Sequence, residues 1–226
     1  MPRALATALL VLCSLAAAAT NLANLAEPSH RSAVLILGDS ISAGYGIQQE
    51  EGWVQLLART LTESELAWDT VNASISGETS SGGLARLPDL LDTHKPKLVI
   101  IELGGNDGLR GYPTKLMQQN LANMVTLSRD AGAYPVIMAM RIPPNYGPRY
   151  TRAFETVYSD IAKEFSIPYI PFFLEEIAVQ PGMMQNDGIH PTAAAQPLMR
   201  DFVWAYLQPL LDELTLSDRS PGASAP

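Results

Sequence analysis

Residues Ala33–Ser40 read AVLILGDS, a strand pattern that runs directly into a polar turn. Its first five residues form an apolar run that Gly38 ends, the pattern of a parallel strand buried on both faces. Four more strand patterns follow, separated by amphipathic helices, over residues 66–73, 97–103, 136–140 and 168–173. Two prolines in the last of them suit only an edge strand. The alternation predicts one three-layer α/β/α sandwich with a five-stranded, mostly parallel sheet.

The composition limits the class of protein. The 226 residues are 47% hydrophobic and 17% charged, as expected for a globular chain, and they contain no repeat or linker. Lys and Arg total 15 against 23 Asp and Glu, a net charge of −8, so no basic footprint for nucleic acid is present. The single cysteine excludes a disulfide framework and a multi-cysteine metal site.

The first residues have the pattern of a secretory signal peptide. Arg3 precedes an apolar run, Ala4–Ala19, and a short polar segment ending at Ala26. Cleavage after Ala19 or Ala26 fits, and we favour Ala26; an uncleaved anchor is the rival interpretation, although the run is short for a membrane span. We therefore predict a signal peptide over 1–26, one folded domain over 27–214 and a disordered tail over 215–226. The predicted location is the periplasm, with secretion as the alternative and no stable membrane insertion.

Polar clusters lie where the predicted strands end. In open α/β sheets, ligands bind at the carboxyl ends of the strands. Clusters after the first three strands and before the last helix cover residues 38–44, 72–79, 104–108 and 186–191. Each cluster alone could be an ordinary loop or helix cap. Their common location predicts one functional site.

The residue types in these clusters fit nucleophilic catalysis. Ser40, at a strand-to-helix turn, can expose its hydroxyl, and His190 is the best placed of three histidines to act as its base. Asp187, three residues before His190, can orient the imidazole. An oxyanion would need donors, for which the candidates are the Ser40 and Gly77 N–H groups and the Asn106 side chain.

These motifs resemble those of the SGNH, or GDSL, hydrolase family. The four blocks occur in order as Gly38-Asp39-Ser40, Gly77, Gly104-x-Asn106-Asp107 and Asp187-x-x-His190. The longer strings LGDSISAGYG and NDGIHP are similar to the bacterial TesA-type thioesterase I/protease I/lysophospholipase group, also called arylesterases. Ile41 stands where the block name has leucine, which is common in that group.

The resemblance implies a flavodoxin-like sheet of order 2-1-3-4-5 and a serine esterase without metal or cofactor. It implies Ser40 as nucleophile, His190 as base and then acid, and Asp187 as its orienting carboxylate. The oxyanion hole would be the Ser40 N–H, the Gly77 N–H and the Asn106 side chain.

Two further acids in these blocks, Asp39 and Asp107, are expected to have structural roles. Asp39 is not a triad member and is expected to hold the nucleophile turn by hydrogen bonds. Asp107 is expected to help hold the turn that carries Asn106.

The motifs say less about the substrate than about the reaction. Leu109, Tyr112 and Pro113 after the third strand, and Tyr146 after the fourth, are predicted to line an apolar substrate-binding groove. The expected substrates are small acyl esters (aryl esters included), thioesters or lysophospholipids, and the expected state is a monomer. Two alternatives stay open, a carbohydrate O-deacetylase of the same fold and a non-catalytic flavodoxin-like binding domain. An α/β-hydrolase elbow is excluded because no Gly-x-Ser-x-Gly occurs.

Overall fold

Five parallel strands form the central sheet of the computed structural model, which describes residues 31–219. The strands are β1 (Ser32–Gly38), β2 (Trp68–Asn72), β3 (Leu98–Glu102), β4 (Tyr134–Met138) and β5 (Tyr169–Ile170). Their order is β2-β1-β3-β4-β5, and every neighbouring pair is parallel. This confirms the predicted fold class and strand order.

Helices cover the sheet in two groups. The helices are α1 (Ser40–Ala43), α2 (Trp53–Glu63), α3 (Ser80–His94), α4 (Gly105–Leu109), α5 (Thr114–Asp130), α6 (Pro148–Phe165) and α7 (Gln196–Arg219). Short 3-10 turns lie at Gln49–Glu51, Pro144–Tyr146 and Ala193–Ala195. Helix α5 packs between α3 and α6, whereas α2 packs against α7.

The two central strands explain why the sequence gives this sheet. Val34–Leu37 of β1 and Leu98–Ile101 of β3 have no solvent exposure, since each strand has neighbours on both sides and helices on both faces. A strand in that position needs a continuous apolar run rather than an alternating one. β1 ends beside β3, where Gly38 pairs with Glu102, so the chain segments that follow both strands meet at one edge.

Several element boundaries differ from those predicted. β4 covers Tyr134–Met138 rather than 136–140, because the chain leaves the ladder after Met138, although Ala139 N–H still donates to the Ile170 carbonyl at 2.9 Å. β5 has two residues rather than six and is an edge strand, as its prolines required. The last helix, α7, begins directly after the 3-10 turn Ala193–Ala195.

The predicted disordered tail from residue 215 is wrong for its first five residues. Helix α7 continues to Arg219. The buried Trp68 explains the extension, because its indole Nε1–H donates to the Thr215 hydroxyl at 2.9 Å and so ties the helix end to β2. Residues 220–226, like the predicted signal peptide over 1–26, lie outside the described residues. Among those described, no helix has the length and hydropathy needed to span a membrane.

Candidate active site

Ser40 is the first residue of α1, at the end of β1. Asp39 caps the helix, since its Oδ1 accepts the Ile41 N–H at 3.0 Å. This hydrogen bond satisfies one of the free N–H groups at the start of the helix. It fixes a sharp change from strand to helix, which leaves Ser40 partly exposed at the carboxyl edge of the sheet.

Ser40, His190 and Asp187 form one chain of hydrogen bonds. The Ser40 Oγ lies 2.8 Å from His190 Nε2, across a sequence separation of 150 residues. The other ring nitrogen, Nδ1, lies 2.6 Å from Asp187 Oδ2. A histidine held by a carboxylate on one nitrogen and by a hydroxyl on the other can accept the hydroxyl proton.

Asp187 is itself fixed by the loop that carries the histidine. Its Oδ1 accepts the backbone N–H groups of His190 at 3.0 Å and Ile189 at 2.9 Å. These hydrogen bonds, first from the His190 backbone and next from its ring, lower the pKa of Asp187 to about 2. The carboxylate is therefore ionised at any pH at which His190 could act as a base.

Asp39 connects the serine turn to Asn106. While Oδ1 caps α1, Oδ2 accepts a hydrogen bond from Asn106 Nδ2 at 3.2 Å. Asn106 is the second residue of α4, directly after β3, and lines the same cavity as Ser40. An amide has two N–H donors, so the bond to Asp39 orients the group and leaves the second N–H available. Burial raises the pKa of Asp39 to about 6.

A second carboxyl lies beneath the serine turn. Glu102, the last residue of β3, has no solvent exposure, and its Oε2 accepts the Ser42 hydroxyl at 2.5 Å. Burial, reinforced by the nearby charge of Asp39, raises the pKa of Glu102 well above its usual range, which favours the neutral carboxyl. Gly38 makes room for this carboxyl, because a Cβ there would lie 2.5 Å from Glu102 Oε2.

Gly77 lies in the loop between β2 and α3, which is attached to the end of β1. Ile75 N–H donates to the Gly38 carbonyl at 3.1 Å, and Asn72 Nδ2 donates to the Ser42 carbonyl at 2.9 Å. Gly77 has φ +81°, a value that favours glycine. Its carbonyl accepts the Arg110 guanidinium at 3.1 Å, and its N–H has no hydrogen-bond partner among residues 31–219.

Asp107 helps to hold the turn that carries Asn106, as expected, through its bonds to the start of α3. Its carboxylate accepts the Ser80 N–H at 2.8 Å and the Ser80 hydroxyl at 2.6 Å. Asp107 therefore attaches α4 to the start of α3 and does not bond to the Asn106 side chain. The group that holds that side chain is Asp39.

An apolar groove opens beside Ser40. It has a volume of about 410 Å³, and Ser40, Asn106 and His190 lie in its wall. The rest of the wall is mainly apolar and includes Leu109, Met140, Ile142, Pro143, Phe172 and Leu174. A cavity of this size and composition suits an acyl chain or an aryl group.

The predicted groove residues occupy different places. Leu109 lines the groove as predicted. Tyr146 does not line it, but its hydroxyl donates to the Leu109 carbonyl at 2.7 Å and so supports the rim. Tyr112 and Pro113 lie on the exposed surface outside the lining, because the chain turns away after α4 to begin α5. They are not among the residues that line this groove, and their part in substrate binding stays a prediction.

Two residues beside the serine and histidine escaped sequence reasoning. The ring of Tyr45 lies against the His190 ring with centroids 4.5 Å apart. Glu102 supports the serine turn from below. An acid at the end of an otherwise apolar strand is a signal that could have drawn attention to Glu102. Tyr45 had no such signal, because an aromatic residue after a turn is common.

A serine, a histidine and a carboxylate joined in this order at the carboxyl edge of a parallel α/β/α sheet define a serine hydrolase. Comparison with known proteins gives the same class. The GDSL-like lipase/acylhydrolase family model matches residues 36–197. The chain therefore belongs to the GDSL-like lipase/acylhydrolase family, and it is a serine esterase.

Similar proteins have related names. Esterase TesA of Pseudomonas aeruginosa is 50% identical over 187 residues, 83% of this chain and 93% of the relative. Thioesterase 1/protease 1/lysophospholipase L1 of Escherichia coli is 48% identical over 179 residues, 79% of this chain and 85% of that protein. The crystal structure of the psychrotrophic esterase EstA from Pseudoalteromonas sp., inhibited by monoethylphosphonate, has a TM-score of 0.78 at 46% identity, covering 80% of this chain and 99% of EstA.

Proposed function

We propose that this enzyme hydrolyses acyl esters and thioesters, aryl esters and lysophospholipids included, through an acyl-enzyme on Ser40. The observation that carries the proposal is the continuous hydrogen-bond chain from Ser40 Oγ through His190 to Asp187, at 2.8 and 2.6 Å. The names of the relatives, which include esterase, thioesterase and lysophospholipase, support this range of substrates.

The first half of the reaction forms the acyl-enzyme. Ser40 Oγ attacks the carbonyl carbon while His190 Nε2 takes its proton, and the carbonyl electron pair moves onto the oxygen. Asp187 stabilises the resulting imidazolium. The oxyanion is assigned to the Ser40 and Gly77 N–H groups and the second N–H of Asn106. The bond to the leaving group then breaks, and His190 gives its proton to the departing alcohol or thiol.

The second half returns the enzyme to its starting state. A water molecule attacks the acyl carbon, His190 takes one of its protons, and the same three donors hold the new oxyanion. Collapse of this intermediate releases the carboxylic acid, and His190 returns the proton to Ser40 Oγ. Over the full cycle, one ester or thioester and one water molecule are consumed, and one carboxylic acid and one alcohol or thiol are released.

The groove supports a preference for longer acyl groups. Its apolar wall can cover an acyl chain that starts at Ser40, whereas an acetyl group would leave most of its volume unused. We expect p-nitrophenyl octanoate to be hydrolysed with a higher kcat/KM than p-nitrophenyl acetate.

The first experiment measures p-nitrophenyl ester hydrolysis, from acetate to palmitate, by the chain from Glu27 onward and by its Ser40→Ala variant. A phosphonate ester that labels wild type at one equivalent, and not the variant, would support Ser40 as the nucleophile. Equal rates on acetyl and octanoyl esters would contradict the apolar acyl site. Activity on acetate alone would favour a carbohydrate O-deacetylase, and a fully active Ser40→Ala variant would exclude the proposed nucleophile.

We also propose that the protein is exported, processed after Ala26 and monomeric. The basic start, apolar run and small residues over 1–26 support export. Mass spectrometry of the protein from a periplasmic fraction should give an N-terminus at Glu27, and light scattering should give the mass of one mature chain. An intact Met1 in the membrane fraction would favour an uncleaved anchor.

A further inference from the structure

One glutamine closes the loop that carries Asp187 and His190. Gln185 N–H donates to the His190 carbonyl at 2.8 Å, and Gly188 N–H donates back to the Gln185 carbonyl at 3.0 Å. Just outside, Thr192 N–H donates to the carbonyl two residues before Gln185 at 2.8 Å. The backbone of Gln185 therefore fixes the shape of the loop.

The side chain of the same glutamine joins this loop to the serine helix. Its Nε2 donates to the Tyr45 carbonyl at 2.8 Å and to the Pro191 carbonyl at 2.9 Å. Tyr45 is fastened to α1, because its N–H donates to the Ser40 carbonyl at 3.0 Å. Both N–H groups of one amide thus connect the two chain segments that supply the nucleophile and the base.

The chain packs tightly around this amide. Gly46 follows Tyr45, and a Cβ at Gly46 would lie 2.4 Å from Gln185 Oε1. Beside this amide, the ring of Tyr45 lies against the ring of His190, with the ring centroids 4.5 Å apart. The two N–H groups of Gln185 therefore fix the backbone that presents this ring to the imidazole.

This connection matters because the direct one is not permanent. The hydrogen bond between Ser40 and His190 must break and re-form each time the histidine transfers a proton. The bonds made by Gln185 involve no reacting atom and can stay in place through the cycle. A displacement of about 1 Å in such a site can lower the rate about 10²-fold, so a link of this kind has consequences for catalysis.

We propose that Gln185 is a positioning residue that holds His190 at proton-transfer distance from Ser40 through the two N–H donors of its side-chain amide. The inference rests on the proposed function, since it requires His190 to act on Ser40. It assigns to Gln185 no contact with substrate. Its removal should therefore lower kcat and leave KM nearly unchanged.

Three variants and one control distinguish the effect of the amide N–H donors of Gln185 from the effects of side-chain size and charge. Gln185→Met keeps a chain of similar length without donors, and Gln185→Glu keeps the shape but places an oxygen opposite two carbonyls. Gln185→Lys restores donors on a flexible chain. Gln180→Glu is the matched control, because within residues 31–219 the exposed Gln180 side chain bonds only to the carbonyl of Glu176, at 3.0 Å.

Each variant is assayed on p-nitrophenyl octanoate, and competent sites are counted by stoichiometric phosphonate labelling, so that kcat refers to folded enzyme. We expect Gln185→Met to lower kcat about 10- to 100-fold with KM within about twofold of wild type. Gln185→Glu should lower kcat further, Gln185→Lys should recover part of the loss, and Gln180→Glu should match wild type.

The outcomes distinguish this inference from the proposed function. Wild type without esterase activity, or a Ser40→Ala variant that keeps it, would refute the proposed function itself. An active wild type with a Gln185→Met variant of unchanged kcat per labelled site would overturn only the positioning role, even if its melting temperature fell. If Gln185→Met does not fold, the Glu and Lys variants decide, and equal kcat values for the two would overturn the proposal.

Discussion

Replacing Asp39 by asparagine should make the stability of the protein less dependent on pH. Asp39 is 2% exposed, and burial raises its pKa to about 6, against about 3.9 for an aspartate in an unfolded chain. A raised native pKa means that the folded state favours the protonated carboxyl. The resulting stabilisation is complete below about pH 4 and is lost as the pH rises through about 6.

The size of this effect follows from the pKa shift. About two pKa units at about 1.4 kcal/mol each give about 3 kcal/mol of stability that wild type loses between pH 4 and pH 7. Asparagine has nearly the same shape, can cap α1 through its own oxygen and does not ionise. The stability of Asp39→Asn relative to wild type should therefore rise by about 3 kcal/mol over that pH range.

Activity should change in the opposite direction. In wild type, Asp39 Oδ2 accepts one N–H of Asn106. With asparagine at position 39, an amide nitrogen faces that N–H, and Asn106 must rotate to avoid the contact. Loss of one oriented oxyanion donor costs about 10²- to 10³-fold in kcat. Asp39→Asn should be more stable at neutral pH and much less active.

The assay is urea denaturation of both proteins at intervals from about pH 4 to about pH 7, followed by fluorescence, with kcat measured on an acyl ester. Asp107→Asn is a useful comparison, because Asp107 is also buried but bonds to Ser80 rather than to Asn106. A stability difference between Asp39→Asn and wild type that stays constant with pH would refute the reasoning from burial.

Three further changes test other parts of the structure. Asp187→Asn should lower kcat about 10⁴-fold, since the amide cannot hold the required histidine tautomer, and a loss below tenfold on an acyl ester would argue against the proposed role. Gly38→Ala should lower the free energy of unfolding by about 1–3 kcal/mol, because the new methyl group meets Glu102 Oε2 at 2.5 Å; urea denaturation measures it, and an unchanged midpoint would contradict it. Thr215→Val should lower the free energy of unfolding by about 1–3 kcal/mol, because it leaves the buried Trp68 Nε1–H unpaired. The same assay measures it, and an unchanged free energy would show that this hydrogen bond does not stabilise the fold.

The core strands could be predicted because only a continuous apolar run fits their environment. A strand with neighbours on both sides and helices on both faces must be apolar throughout, as β1 and β3 are. The short helices α1 and α4 could not be predicted, since segments of four or five residues have no measurable periodicity. Local contacts form them, such as the Asp39 cap and the attachment of Asp107 to Ser80.

The candidate site divides in the same way. Ser40, Asp187 and His190 were predicted to act together, and the structure brings them into one hydrogen-bond chain, while their catalytic roles stay a prediction. Leu109 lies in the groove, but Tyr112 and Pro113 do not. Distance along the chain from a functional residue gave no information on which way the loop turns after α4.

Local patterns in the sequence are enough to predict the sheet and the polar residues that meet at its edge. Apolar runs define buried strands, and parallel strands bring the residues that follow them to one edge. The way in which the reacting groups are held, in contrast, depends on contacts between segments far apart in the chain. Glu102 meets Ser42 across 60 residues, and Gln185 meets Tyr45 across 140. Such contacts depend on how distant segments pack, and no local pattern of residues records them.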